Sequence, residues 1–300
     1  MTRTQKIHPP LQGTFDSVLA VIADQNKPEV QSIGTRPFLK WVGGKRSILA
    51  ELLERMPEKY ETYREPFVGG GALFFAVQPT KAYLSDINFN LMLTYQAVRD
   101  DVDRLISILK FYEKNHGKEF FQRARERLCS ENDTTKIATL IIYLNKTCFN
   151  GLYRVNRDGK FNVPIGSYTD PALFDEQTLR NDSKVLQGVT LKQHPFSHTP
   201  VVQNDFYYLD PPYHKTYDGY SGNGFGDDEH KRLAEFCREL DKAKAFFMLS
   251  NSDTPLVRSL YSTFHIDRVA ASRSVSCKGD QRGKENELVI RNYQQRPKGQ

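Results

Sequence analysis

Cysteine is scarce in this chain of 300 residues, and the four present, Cys129, Cys148, Cys237 and Cys277, lie far apart. They form no CxxC pair and have no histidine at metal-ligand spacing, which excludes a disulfide framework and a cysteine-based zinc site. They read as thiols of a reducing compartment. Long apolar runs are missing too. No stretch approaches the ~20 apolar residues of a membrane span, and the N-terminus "MTRTQKIHPPLQGTF" lacks the apolar core of a signal peptide. The expectation is a cytoplasmic protein without membrane contact. There is no internal repeat and no low-complexity tract. Residues 1–36 are rich in Pro, Gln and Thr apart from the short "SVLAVIA", and read as an extension without assigned function. What the chain does have is 39% hydrophobic residues, enough for a sizeable core, and a net charge of +6, which is modest evidence for a polyanionic partner.

From Phe38 onward the pattern sharpens. "KRSILAELLERM" carries apolar residues at helical spacing and stops at Pro57, and "TYREPF" reads as a strand running into "VGGGALFFAV", a glycine turn that opens a helix. A second strand, "KAYLSD", ends at Asp86, and another helix follows from Asn88. Such β-α-β-α alternation implies parallel strands covered by helices. Between about residues 100 and 150 the pattern is mostly helical, and "NGLYRVNRDGKFNVPIGSY" then interrupts the rhythm with polar, aromatic and basic residues. Alternation resumes with the strands "VTLKQ" and "DFYYLD", the helix "DDEHKRLAEFCREL" and the strand "AFFMLSN". The middle third therefore looks inserted into an α/β domain.

Two constellations carry chemistry. In "EPFVGGGALFF", Gly69 and Gly71 flank a tight strand-to-helix turn, where missing side chains let a ligand approach the backbone. The turn fails two commoner phosphate fingerprints: Phe74 stands where GxGxxG needs its third glycine, and "GGKRS" lacks a GK[ST] ending. Asp86, ending the next strand, can accept both hydroxyls of a ribose or can serve the following helix as a cap. A nucleoside ligand without a pyrophosphate fits this pair best. The second constellation is "DPPY", Asp210 to Tyr213, after an apolar strand. The amine of adenine is a poor nucleophile because its lone pair is delocalised into the ring, so its methylation needs acceptors that hold the N–H groups while the nitrogen rehybridises. Asp210 and the carbonyl of Pro211 supply two, Pro211 and Pro212 stiffen the backbone, and Tyr213 offers a face for a base extruded from the duplex. The bland alternative is a strand-end turn with an Asx hydrogen bond.

Together, "FLKWVGGKRSIL" at 38–49, "EPFVGGGALFF" at 65–75, "LSDIN" at 84–88, "FNGLYRVNRDGKFNVPIGSY" at 149–168 and "DPPY" at 210–213 resemble the Dam-type, alpha-group (D12 class) DNA adenine-N6 methyltransferases. The resemblance runs in order from Phe38 to about Tyr293. It implies an α/β fold, a doubly wound Rossmann-like methyltransferase sheet with an inserted, mainly helical target-recognition domain. It also implies S-adenosylmethionine as methyl donor, held by Trp41, Gly43, Lys45, Phe67, Gly69, Gly71, Asp86 and Asp210. Double-stranded DNA is the implied partner, contacted through Lys40, Phe149, Asn150, Leu152, Arg154 and Pro164. Arg154 would read a guanine edge, and Phe149 would wedge into the space left by the extruded adenine. A GATC target follows from the same likeness, with two departures: Phe149 stands where some members carry tyrosine, and Ser167 where some carry arginine.

The implied division is an extension at 1–36, a first catalytic part at 37–95, the recognition domain at 96–172 and a second catalytic part at 173–300. A monomer is expected, in a bacterial or phage setting and near the nucleoid, with a cognate restriction endonuclease as an optional partner. Arg268, Arg273, Lys278, Arg282 and Lys284, read as a basic loop before a final strand, can neutralise phosphates or merely be solvated. Rival readings are weaker: glutamine methyltransferases usually carry Asn in place of Asp210, cytosine-C5 chemistry needs a nucleophilic cysteine typically after proline, and no Pro-Cys pair occurs. A catalytically silent DNA-binding protein on the same scaffold would show a broken "DPPY" or glycine turn, and both are intact.

Overall fold

A computed structural model of the chain describes residues 36–168, 171–215, 225–272 and 284–294. The extension up to residue 35 lies outside the described residues, as do Arg273, Lys278 and Arg282.

Seven strands, β1 (Tyr63–Glu65), β2 (Ala82–Asp86), β3 (Thr190–Gln193), β4 (Phe206–Leu209), β5 (Phe246–Ser252), β6 (His265–Ser272) and β7 (Lys284–Arg291), form one sheet in the order β3-β2-β1-β4-β5-β7-β6. The first five are parallel, and β7 runs antiparallel to both neighbours. The helices are α1 (Leu49–Glu54), α2 (Ala72–Val77), α3 (Phe89–Asp100), α4 (Val102–Lys114), α5 (Lys118–Leu128), α6 (Thr134–Thr147), α7 (Glu176–Val185), α8 (Asp227–Lys242) and α9 (Pro255–Leu260).

The central strands explain why helices cover both faces. All four residues of β4, "FYYL", are buried. Because successive strand side chains point to opposite faces, Phe206 and Tyr208 enter one core with α2 to α7, while Tyr207 and Leu209 enter a second with α8 and α9. Strand β5 repeats the division, with Met248 on the first side and Phe247 and Leu249 on the second. A strand apolar on both faces is stable only where both faces are packed. Local chemistry sets the helix starts: Asn88, Asp133, Asp175 and Thr254 cap α3, α6, α7 and α9 by accepting from the backbone N–H of Leu91, Lys136, Thr178 and Val257.

The connection from β2 to β3 is the long one: it carries α3 to α6, the polar segment after Phe149, and α7. Two expectations need correction. The helix read from Lys45 begins as a 3-10 turn, Lys45–Ile48, and becomes α-helical only from Leu49, and the Lys45 ammonium folds back on Gly43 O (2.5 Å). Neither Arg268 nor Lys284 is in a loop: Lys284 is the first residue of β7, Arg268 lies within β6, its Nη2 pairs with Asp253 Oδ2 (2.5 Å), and β6 satisfies the outer edge of β7. Among the described residues, no helix is long and apolar enough to cross a membrane.

Candidate functional site

The strand order reverses direction between β1 and β4, and in open α/β sheets the crevice beyond the carboxyl ends of the strands at such a switch binds the ligand. Three adjacent strands deliver an acid there. Glu65 ends β1, Asp86 ends β2 and Asp210 follows β4. Glu65 is 2% exposed and accepts from Tyr63 Oη at 2.7 Å. Burial lifts its pKa well above the ordinary range, Tyr63 opposes that, and the charges of Asp210 and Asp86 reinforce it. Sequence reasoning passed over Glu65, although an acid closing a buried strand is the signal that singled out Asp210.

Asp86 is half-buried, and its two oxygens accept from backbone: Oδ2 from Gly69 N–H (3.1 Å) and Oδ1 from Asn88 N–H (2.9 Å). It thus ties the glycine turn to the start of α3, while the α3 cap itself is Asn88. Burial raises its pKa to about 6 against those hydrogen bonds. Asp210 is also held at about 6, raised by burial, lowered by Lys45 and raised again by Glu287.

Lys45 organises the centre. Its ammonium, 6% exposed, lies 2.8 Å from Asp210 Oδ1 and 4.6 Å from the centroid of the Tyr213 ring. Pro211 is buried, Pro212 exposed and Tyr213 half-buried, with its hydroxyl donating to Glu287 Oε2 at 2.7 Å. His214, absent from the sequence reading, anchors the far end of the turn. Its backbone N–H donates to Asn251 Oδ1 (3.1 Å), its Nδ1 lies 2.7 Å from Thr254 Oγ1, and its Nε2 lies 3.1 Å from Asp227 Oδ1.

Beside the carboxylates, the glycine turn is shaped by close approach. Gly69 has φ +46° and Gly71 φ +67°, and a Cβ at Gly69 would meet Trp41 Cδ1 at 2.8 Å, one at Gly71 the Tyr95 hydroxyl at 2.7 Å. Trp41 therefore packs against the side of Gly69 that a side chain would occupy. The indole also stacks on Tyr153 (5.2 Å, 23°). Gly43 has φ +79° beside Lys45 Nζ. Phe67 points into an aromatic cluster, stacked on Phe196 at 5.4 Å. The structure thus gathers Trp41, Gly69, Gly71 and Asp86 around one turn, and Lys45, Asp210 and Tyr213 around one ion pair.

The remaining candidates form a neighbouring group after α6. Asn145 staples the segment of Lys40 to it: the amide Oδ1 accepts from Lys40 N–H (3.0 Å), and Nδ2 donates to Lys40 O (2.8 Å) and Gly151 O (2.9 Å). Residues 148–166 then fold back on themselves through antiparallel bridges Cys148↔Ile165 and Val155↔Phe161. On this hairpin Phe149 is 50% exposed, Asn150 takes a left-handed conformation (φ +56°), Leu152 is half-buried and Pro164 exposed. Arg154 donates from Nε to Asn162 Oδ1 at 2.8 Å, which orients its guanidinium.

A mostly parallel sheet with one antiparallel strand next to its edge, carrying acids and a glycine turn at its switch point, defines an α/β enzyme built for a nucleoside-bearing ligand. The model of the D12 class N6 adenine-specific DNA methyltransferases matches residues 41–275. The chain is similar to the type II methyltransferase M.MjaIII of Methanocaldococcus jannaschii, 43% identical over 86% of this chain and 99% of that one. It is also similar to the type II methyltransferase M1.LlaDCHI of Lactococcus lactis, 35% identical over 89% and 99%, and to the DNA adenine methylase of Escherichia coli, 32% identical over 85% and 94%. This chain belongs to the D12 class and is a DNA adenine-N6 methyltransferase that uses S-adenosylmethionine.

The donor set fits that cofactor. Burial raises the pKa values of Glu65, Asp86 and Asp210, and the Lys45 ammonium pairs with Asp210. A ligand bearing a sulfonium and an ammonium favours the ionised carboxylates. A pH dependence follows. With folded values near 6 against 3.8 for the free side chain, Asp86 and Asp210 bind more protons in the ligand-free fold than unfolded, so their contribution to stability falls as pH rises through that window. If Asp86 and Asp210 face the cofactor, its binding runs the other way: the cation prefers the carboxylates, so affinity is expected to be full above about pH 7 and to weaken as pH falls below about 6. Calorimetric titration of the cofactor across that range, with Asp86→Asn beside wild type, checks it. A flat profile in wild type would remove both acids from the cofactor site.

Proposed function

We propose that the enzyme methylates N6 of adenine within GATC in duplex DNA, after extruding the base, with residues 96–172 as recognition domain and residues 37–95 and 173–300 as the catalytic domain. The observation that carries the reading is the Lys45–Asp210 pair beneath the Tyr213 ring at the switch point. When bound, S-adenosylmethionine supplies an electrophilic methyl group. Asp210 and the Pro211 carbonyl accept from the amine and keep its lone pair directed at the incoming methyl, and Tyr213 stacks on the base. Extrusion costs a few kcal/mol, and one base–aromatic stack returns ~1–3 kcal/mol. Trp41, Gly43, Lys45, Phe67, Gly69, Gly71 and Asp86 line the cofactor side. Lys40, Phe149, Asn150, Leu152, Arg154 and Pro164 face the DNA, with exposed Phe149 as the wedge. The protein acts as a monomer on cytoplasmic DNA, and the type II names of two relatives support a cognate restriction endonuclease as partner. Single-molecule sequencing of DNA methylated by the purified protein tests base, position and context together, and methylation outside GATC would overturn the target.

Arg154 separates base reading from general attraction. If its guanidinium reads a guanine edge, Arg154→Ala is expected to lose ~1–3 kcal/mol of discrimination at one base pair, so that methylation spreads to sites differing there. A phosphate contact would instead weaken binding to all sequences alike and reduce the salt slope by about one unit. Rates on cognate and singly substituted duplexes at fixed salt distinguish the two.

A further inference from the structure

Glu287 lies in the middle of β7, opposite Ser252 of β5 and Val269 of β6, and immediately precedes the buried run Leu288, Val289 and Ile290. A charged residue is a poor choice for such a strand. Its Oε2 accepts the Tyr213 hydroxyl at 2.7 Å, across 74 residues of sequence. The prolines stiffen the backbone before Tyr213 but leave its side-chain torsions to choose among staggered wells. The ring is fixed instead at its two ends of reach: the hydroxyl by Glu287, and one face by the Lys45 ammonium at 4.6 Å. Burial, then the charges of Asp210 and Glu287, hold the phenol well above its ordinary pKa, so it stays a donor.

We propose that Glu287 is a positioning residue for methyl transfer: it holds the Tyr213 hydroxyl and thereby sets the plane of the ring on which the extruded adenine stacks. The inference rests on the stacking role proposed for Tyr213. A ring ordered before the base arrives spares the reaction that ordering entropy. A phenol donating to a carboxylate is also richer in electron density, which favours stacking on a purine that gains positive charge as N6 is alkylated. The effect of the Tyr213 contact therefore falls on the extruded base and the chemical step, and cofactor affinity is compared above pH 7, where Asp210 is ionised with or without Glu287.

The test is a double-mutant cycle on the full-length protein with an adenine duplex that the wild type methylates. Single-turnover rate, calorimetric cofactor affinity and, in cofactor-free complexes, the fluorescence lifetime of 2-aminopurine at the target position are read together. Glu287→Ala and Tyr213→Phe are each expected to slow methylation about tenfold, and the double variant no further. Glu287→Gln, whose amide oxygen still accepts, should recover most of the rate. The long-lived, unstacked 2-aminopurine fraction should rise in Glu287→Ala. Losses that multiply in the double variant, or a Glu287→Ala enzyme at wild-type rate while Tyr213→Ala is severely impaired, overturn the role of Glu287. A Tyr213→Ala enzyme at wild-type rate overturns the stacking role itself.

Discussion

Asp210→Ala is expected to slow single-turnover N6-methyladenine formation roughly 100- to 1,000-fold while DNA binding persists. In the proposed reaction the side chain does two things. As an acceptor fixed beside stiff prolines, it would meet the amine without reorganising. As the partner of Lys45, it neutralises an ammonium only 6% exposed, 2.8 Å away. Alanine removes both, and part of the loss would then come from an uncompensated buried charge. Asp210→Asn separates the effects, since it keeps the volume and one carbonyl acceptor but not the charge. Gel-shift affinity measured beside the rate shows whether the duplex is still engaged. Turnover near wild type in Asp210→Ala would remove Asp210 from catalysis, and turnover near wild type in Asp210→Asn alone would show that the acceptor matters and the charge does not.

The second large effect concerns the sheet. Arg64 of β1 and Asp205, immediately before β4, form a buried pair at 2.5 Å, with the carboxylate 1% exposed and its other oxygen accepting from Thr62 N–H at 3.0 Å. The guanidinium also lies over the rings of Tyr83 and Tyr207. Removing one partner of such a pair typically costs about 3–5 kcal/mol, because the survivor stays buried and charged. Asp205→Ala is accordingly expected to lower unfolding stability by that amount, read as a fall in the urea midpoint. Arg64→Met with Asp205→Leu should recover much of it, because an apolar pair of similar volume carries no desolvation cost. A midpoint unchanged in Asp205→Ala would mean the pair is solvated.

Local periodicity made the parallel core legible. The apolar run "FYYL", the acids Asp86 and Asp210 at the ends of their strands and the helix start at Asn88 are all written within a few residues. What was not legible depends on distant partners. Helix α7 carries a polar sequence, "EQTLRNDSKV", and α9 is only six residues long, so neither stands out before its packing is known. Arg268 reads as a loop cation until β7 is there to pair with β6. In the site, Asp210, Tyr213 and Asp86 announce themselves by position after strands, whereas Glu287 and the His214 contacts with Asn251 and Thr254 are made across 37 to 74 residues. Trp41 was assigned to the ligand, and its packing against Gly69 emerges only from the turn in three dimensions.

The adjacency of β1 and β4 has a consequence for synthesis. These neighbours are joined by a contact spanning 141 residues. At ~5–20 residues per second, the ribosome needs about 7 to 28 s to make the intervening chain. Until then β1 has β2 and no partner on its other side, and an open strand edge is a template for wrong pairing. The nascent enzyme thus spends that interval with half its switch point built. Chaperone demand should peak there, before residue 209 leaves the exit tunnel.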